Sequence, residues 1–204
     1  MALCLAHATA GYLAYEALRP AGPHRPWLLV GAVLVANAPD LDFLPGLAIG
    51  DADAYHRGVT HTLGAAVVAV AAAWLVARWC GGGARGGGPS GAPRPAWWAA
   101  LAGAAWTSHL LVDWMTVDAV APAGIQLLWP LSDAWLHAPF DLLGEIIIDP
   151  SGRMAFLRSL LTPAALVAWT REVGIVVAVV AAVHAARAIV AAPGEPVADE
   201  SLEP

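Results

Sequence analysis

Residues 96–113 read AWWAALAGAAWTSHLLVD, an apolar run that ends in a histidine and an aspartate. The run approaches the length of about 20 residues that a helix needs to cross a membrane. His109 and Asp113 are four residues apart, so on a helix they share one face, about 5–6 Å apart. An imidazole and a carboxylate so placed can chelate a metal, although a simple His–Asp hydrogen bond would also satisfy two buried polar groups.

The composition of the whole chain is that of an integral membrane protein. Of its 204 residues, 59% are hydrophobic and 13% are charged, whereas a soluble domain averages roughly 45–50% apolar and about 25% charged residues. A net charge of −6 without any basic run argues against nucleic acid as a partner. Cys4 and Cys80 stand alone, without the spacing of a thiolate zinc site or a disulfide framework.

Four further apolar segments predict the rest of a helical bundle. Residues 61–79 and 173–192 are long enough to span a membrane, and residues 2–18 are at the lower limit. Residues 27–38 are too short alone and form either a partial span or a helix that continues past the aspartates toward Pro45. The predicted fold class is therefore all-α, an integral membrane bundle of about five hydrophobic helices.

The domain organisation follows from the same segments. We expect a single membrane-embedded domain over residues 1–192, with a flexible glycine-rich loop at 81–95. The acidic tail at 193–204 is expected to be disordered.

Three more polar clusters interrupt the apolar sequence, and the first two are His7 and the pair Asp40 and Asp42. A lone histidine such as His7 on an apolar helix is more often a satisfied core residue than a ligand. In an extended stretch the two aspartates would point the same way and repel each other unless a cation lay between them. The alternative is a turn in which Asp40 caps a helix end.

The third cluster is His56-Arg-Gly-Val-Thr-His61. A spacing of five does not fit one helical face, so His56 is expected on a loop, with a tight bend at Gly58 and Thr60 capping the next helix. Arg57 can pair with a phosphate as a planar fork or with a nearby aspartate. Asp133 and His137 repeat the spacing of four, in a segment whose depth in the membrane the sequence does not fix.

The placement of arginines predicts the orientation. The loops at 19–26 and 80–95 hold arginines and no acid, whereas residues 39–60 hold four aspartates against Arg57 alone. If the basic loops are cytoplasmic, five helices put all four polar clusters at the extracytoplasmic face. Separate explanations for four clusters at one face are improbable together, so we expect their side chains to converge in one site.

The ordered set of motifs resembles a known family. The motifs are Pro39-Asp-Leu-Asp42, His56-Arg-Gly-x-Thr-His61, His109-x-x-x-Asp113 with a following Thr116, and Gly124-x-x-Leu-Leu-Trp-Pro130. Together they resemble the bacterial membrane-bound metal-dependent hydrolases, the LexA-binding, inner-membrane-associated YdjM-like family. The resemblance runs from His7 to about Pro150, and the ordered set is more specific than any single motif.

The resemblance also implies a chemistry and a location. The family is similar to zinc-dependent phospholipase C and to helical nucleases whose His and Asp ligands include a His-x-x-x-Asp helix pair. It implies a multi-pass protein of the bacterial inner membrane with a phosphoester substrate, for which a phospholipid is a candidate. The predicted partners are therefore membrane lipid and a small-molecule or lipid phosphoester.

We therefore predict a metal-dependent hydrolase with zinc as the expected divalent metal. The predicted ligands are His7, Asp40, Asp42, His56, His61, His109 and Asp113. Seven ligands exceed the four of one tetrahedral zinc ion, so two or more ions about 3.5–4 Å apart, sharing an aspartate, are expected. Arg57 is predicted to be catalytic by steadying the phosphate oxygens.

Two other functions use the same residues. The ligands could hold a structural metal that ties short helices together in a non-catalytic scaffold. A metal or proton transporter is the third class, but transporters place charges near the membrane midplane, often in paired repeats. Here the charges lie at helix ends and no repeat is evident. A catalytic site would keep one coordination position open for water, and a structural site would be closed.

Overall fold

The computed structural model describes residues 4–19, 25–49, 54–80, 93–116, 122–140, 142–144, 147, 149 and 153–191. Seven α-helices lie in these residues: α1 (Cys4–Leu18), α2 (Pro26–Asn37), α3 (Phe43–Ile49), α4 (Leu63–Cys80), α5 (Pro95–Trp114), α6 (Arg153–Ser159) and α7 (Pro163–Ala191). Short 3-10 turns at Pro39–Asp42 and Val59–His61 precede α3 and α4. No β-strand occurs in the described part of the chain, which confirms the all-α prediction.

Helix α5 is the centre of the bundle and contacts α1, α2 and α4, while α7 packs against α1. Small residues line the contacts between α1, α2 and α5, among them the buried Ala14, Ala36 and Ala105. Such residues let helix backbones approach closely. The approach is tightest at Gly11, where an added Cβ would lie 2.8 Å from the carbonyl oxygen of Ala32. This close packing fixes the relative positions of the helix ends that carry the polar clusters.

Two helices of the described part, α4 and α7, are long and apolar enough to cross a membrane, and the bent pair Pro26–Asn37 with Pro39–Gly46 would make a third span. Their apolar side chains face outward: Val67 and Val68 of α4 are 67% and 68% exposed. Such apolar surfaces suit contact with lipid. The helical form suits it too, because the membrane core supplies no water to hydrogen-bond exposed backbone groups.

The five hydrophobic segments predicted from sequence all form helices, but five membrane spans are not established. Helix α1 has 15 residues and is therefore about 22 Å long, less than the roughly 30 Å of a bilayer core. Helix α5 has 20 residues, but its tryptophans, His109 and Asp113 make it less apolar than a typical span. The last segment begins ten residues earlier than predicted, at Pro163 rather than 173, because the charged pair Arg171 and Glu172 lies inside α7.

The two segments predicted to be irregular lie mostly outside the described residues. These are positions 81–92 of the glycine-rich loop and all of the tail at 193–204. The described residues Pro93 and Arg94 lead directly into α5.

Proline creates the break that brings aspartates to the bundle end. Pro39 lacks a backbone N–H and cannot continue α2, so the chain turns through Pro39–Asp42 and the following helix is bent by 47°. Of the two alternatives for the segment 27–38, this favours continuation past the aspartates, as a bent pair of helices. The start of α1, the end of α2, the turn before α4 and the end of α5 consequently meet at one end of the bundle.

Candidate metal centre

His61 and His109 lie at the middle of a cluster at this end of the bundle. Their Nε2 atoms are 3.0 Å apart, and Asp113 Oδ2 lies 3.1 Å from the first and 3.3 Å from the second. The helical spacing of His109 and Asp113 therefore does place both side chains on one face. The side chains that were expected to converge from distant parts of the sequence are in direct contact.

Asp40 adds a fourth donor atom to these three. Its Oδ1 lies 3.5 Å from His61 Nε2 and 3.6 Å from His109 Nε2. Donor atoms that bind one tetrahedral zinc ion at about 2.0–2.1 Å lie roughly 3.3 Å from each other. Five of the six separations between these four atoms lie between 3.0 and 3.6 Å, around that value, and are compatible with binding to one tetrahedral ion.

His7 lies on the other side of the two carboxylates. Its Nε2 is 3.5 Å from Asp113 Oδ1 and 3.8 Å from Asp40 Oδ2, the oxygens that are not turned toward His61 and His109. The imidazole of His7 stacks on that of His109, with ring centroids 3.9 Å apart. Each carboxylate thus offers one oxygen to the His61–His109 side and one to His7, an arrangement that can bridge two ions.

The remaining ring nitrogens of the two central histidines are held by the protein. His109 Nδ1 lies 2.7 Å from the carbonyl oxygen of Ala36, which can only accept, so Nδ1 is the donor. His61 Nδ1 lies 3.1 Å from Asp42 Oδ2. With both Nδ1 atoms acting as donors, the two Nε2 atoms face each other 3.0 Å apart, so either a proton on one of them or a cation between them must relieve the repulsion of their lone pairs. Metal-binding histidines commonly have such partners on the second nitrogen.

The cluster is closed from solvent except at one edge. The side chains of His7, His61 and His109 are 0% exposed, Asp113 is 2% exposed and Asp40 is 14% exposed. Burial lowers the pKa of His61, but the nearby carboxylates of Asp113, Asp40 and Asp42 outweigh burial and hold that pKa well above its usual range. The surrounding carboxylates therefore favour positive charge at the centre.

Asp42 and His56 lie on the Nδ1 side of His61, away from the Nε2 atom that faces His109 and Asp113. Asp42 accepts hydrogen bonds from Thr60 Oγ1 at 2.6 Å and from His61, and His56 Nδ1 lies 3.0 Å from Asp42 Oδ1. Of the two alternatives for Asp40 and Asp42, the structure has the turn: the segment is a 3-10 turn in which side chains repeat every three residues rather than every two, so the two aspartates point in different directions. Asp40, His56 and His61 nevertheless have donor atoms close enough to form a second group that could hold an ion.

The other candidate residues have different surroundings. Arg57 is buried and has a φ of 60°, so it, and not Gly58, takes the left-handed conformation of the bend. His137 Nε2 lies 2.9 Å from the carbonyl oxygen of Thr116, and Asp133 is exposed. Asp133 and His137 make no ion pair with each other in the described part, so their spacing of four does not mark a second pair.

Sequence reasoning missed part of the support around the cluster. Thr60 was expected to cap α4, but Thr62 performs that role by accepting from the backbone N–H of Ala65 at 3.0 Å. Thr60 instead binds Asp42. The carbonyl of Ala36 carries no side-chain signal at all, and only the end of α2 at Asn37 could have indicated an unpaired carbonyl there.

Comparison with protein families identifies the chain. A family model described as "YdjM inner membrane protein" matches residues 1–193. Comparison with curated proteins and with solved structures gives no match. Because the matched region covers nearly the whole chain, the chain belongs to the YdjM inner membrane protein family.

Proposed function

We propose that this member of the YdjM family is a membrane-bound metal-dependent hydrolase that acts on a phosphoester. The proposal is carried by one observation: donor atoms of His61, His109, Asp40 and Asp113 lie at the spacing of a tetrahedral ion. Zinc matches this set, because it binds imidazole nitrogen and carboxylate oxygen with four ligands. LexA binding and similarity to phospholipase C remain predictions from the resemblance.

The donor set has room for two ions. His61, His109 and one oxygen from each aspartate would hold the first, while His7 and the opposite oxygens of the same aspartates would hold the second. The second ion, on the His7 side, would have fewer protein donors, so a water could complete its coordination. A divalent pair sharing carboxylates supplies an activated water for attack on phosphorus.

The residues of the chain would orient the substrate and keep the histidines in the correct state. Asp40 is the most exposed member of the cluster, so substrate would approach along its edge. Asp42 would keep the proton of His61 on Nδ1 and leave Nε2 for the ion. Arg57 is the proposed partner of the phosphate oxygens, because a guanidinium can bind two of them as a planar fork.

A lipid phosphoester is the favoured substrate. Leu41 follows Asp40 in sequence, Leu44 lies four residues after Asp40 and Val59 precedes Thr60, and these side chains are 56%, 50% and 60% exposed. Apolar side chains beside a polar site suit an amphiphile whose phosphate enters the site while its chains stay in the membrane. The orientation toward the extracytoplasmic side remains part of the proposal.

The second candidate function is a structural metal in a scaffold. The burial of four of the five donor side chains favours it, because a structural site is closed. The two functions differ in whether bound metal supports turnover.

Metal analysis of the purified protein tests both candidates. Wild type should retain a divalent metal, and His109→Ala should lose it. His184→Ala is the matched control, because His184 is exposed and contacts Tyr12 on a different part of the bundle. Cleavage of a labelled phospholipid and of a chromogenic phosphodiester should follow metal content. Full metal occupancy without turnover would favour the scaffold, and absence of metal from the wild type after zinc addition would contradict both.

A further inference from the structure

A buried carboxylate lies inside the apolar helix α7. Glu172 is 1% exposed and falls within the part of α7 that could span a membrane. Acidic residues are costly in such segments and are kept where a specific partner uses them. Here Glu172 Oε1 accepts a hydrogen bond of 2.8 Å from the backbone N–H of Ala6, 166 residues away in sequence.

The partner of Glu172 is the first turn of α1. The helix begins at Cys4, so the N–H of Ala6 is one of the initial groups that have no acceptor within the helix. A carboxylate at this position also interacts favourably with the positive end of the helix dipole. Glu172 therefore acts as an N-terminal cap supplied by another helix, and it holds the backbone immediately before His7.

His7 differs from the two central histidines, His61 and His109, in how its ring is held. His109 is oriented by the carbonyl of Ala36 and His61 by Asp42. Neither ring nitrogen of His7 makes a hydrogen bond within the described part of the chain, although the side chain is fully buried. Its position therefore depends on stacking against His109, on its longer contacts with Asp113 and Asp40 and on the placement of the α1 backbone.

We propose that Glu172 is a positioning residue for the metal centre, which sets the place of His7 by anchoring the start of α1 to α7. The proposal rests on the proposed metal site. Loss of the anchor should displace His7 and weaken the ion that His7 would hold. Partners behind metal ligands typically contribute on the order of 10–100-fold in metal affinity, and we expect a loss of that size.

The same pair of helices provides a matched control at a distance from His7. Glu16 of α1 is also buried and is paired with Arg187 of α7 and with Arg19. Glu16→Leu removes a buried carboxylate between α1 and α7, as Glu172→Leu does. Both variants should lower the thermal stability of the protein, but only Glu172→Leu should lower metal affinity.

The experiment is a zinc titration of metal-stripped protein in detergent, with competition by a chelator. Glu172→Leu should lower the zinc affinity or stoichiometry as His7→Ala does. The double variant should bind zinc no more weakly than either single variant, because both substitutions remove the same contribution, that of His7. Glu172→Gln keeps an acceptor oxygen for the Ala6 N–H and should stay within a few-fold of the wild type. Glu172→Asp keeps the charge but is shorter by one methylene, so it should lose affinity and provides the test if the leucine variant does not fold.

Each remaining outcome overturns the proposal. Wild-type affinity in Glu172→Leu or Glu172→Asp would show that the anchor does not position His7, while the proposed metal site would stand. Equal losses in Glu172→Leu and Glu16→Leu would reduce Glu172 to a helix-packing residue. A wild type that binds no zinc would remove the metal site itself and this proposal with it.

Discussion

A backbone carbonyl decides the chemical state of His109. Because Ala36 O can only accept, it fixes the proton on Nδ1 and leaves Nε2 directed at His61 and Asp113. Asp42 does the same for His61. The two rings thus have partners that orient them before any ion arrives, which is the arrangement that makes metal affinity depend on residues outside the ligand set.

Asp42→Asn should lower metal affinity while the fold is retained. Asparagine keeps the shape but replaces one of the two oxygens that serve His56, His61 and Thr60 with an amide donor. We expect a loss on the order of 10–100-fold, measured by chelator competition. Asp133→Asn, at an exposed aspartate, is the control and should match the wild type. Unchanged affinity in Asp42→Asn would show that His61 does not need this partner.

Replacement of Arg57 should separate binding from turnover. Arg57→Ala should retain metal but lower phosphoester turnover by about 10²–10³-fold if the guanidinium contacts developing charge. Asp113→Ala should lose the metal itself, because a charged donor is removed from the centre of the cluster. Paired measurements of metal content and turnover distinguish the two. Metal loss in both variants would assign Arg57, which is buried, to the architecture of the site.

At the scale of elements, the position of His7 relative to Asp40 depends on how closely α1 approaches α2. The contact at Gly11 leaves no room for a side chain: a Cβ would lie 2.8 Å from both Ala32 O and Ala36 Cβ. The carbonyl that orients His109 belongs to this same Ala36. A change in the α1–α2 distance would therefore change the positions of both His7 and the carbonyl that orients His109.

Gly11→Ala should destabilise the protein by about 1–3 kcal/mol, because backbone atoms of α2 must move. Gly31→Ala is the matched control: a Cβ there meets nothing within 4 Å, and in a helix the exchange should be neutral or stabilising by about 0.5–1 kcal/mol. The measurement is the free energy of unfolding in detergent. Equal stabilities for the two variants would contradict the close approach of α1 and α2.

Residue spacing predicted some elements of the site and missed others for identifiable reasons. The His109–Asp113 pair follows from helical geometry, and the hydrophobic runs locate the helices that carry the clusters. The sequence left open whether Asp40 and Asp42 point the same way, because Pro39 can precede either extended chain or a 3-10 turn. The contact of Glu172 with Ala6 joins positions 166 residues apart, and no local pattern indicates such a pair. The extent of α7 was underestimated because the charged pair Arg171 and Glu172 interrupts its apolar sequence.

At the scale of the whole molecule, the arginine distribution predicts which side of the membrane bears the site. In a variant without Cys4 and Cys80, Ala52→Cys should react with an impermeant thiol reagent applied from the extracytoplasmic side. Gly88→Cys should react only after permeabilisation. The opposite labelling pattern would place the metal centre in the cytoplasm, with all its donors moving together.

The donor residues of the centre lie between residues 7 and 113 of a chain of 204, and this spread determines when during synthesis the site can be completed. His7 is synthesised first, yet its carboxylate partners are incomplete until α5 has been made. The residue that anchors the start of α1, Glu172, follows still later. A nascent chain halted before α5 therefore has no complete site, and acquisition of the proposed ion would be a late step of biogenesis that follows synthesis of these helices.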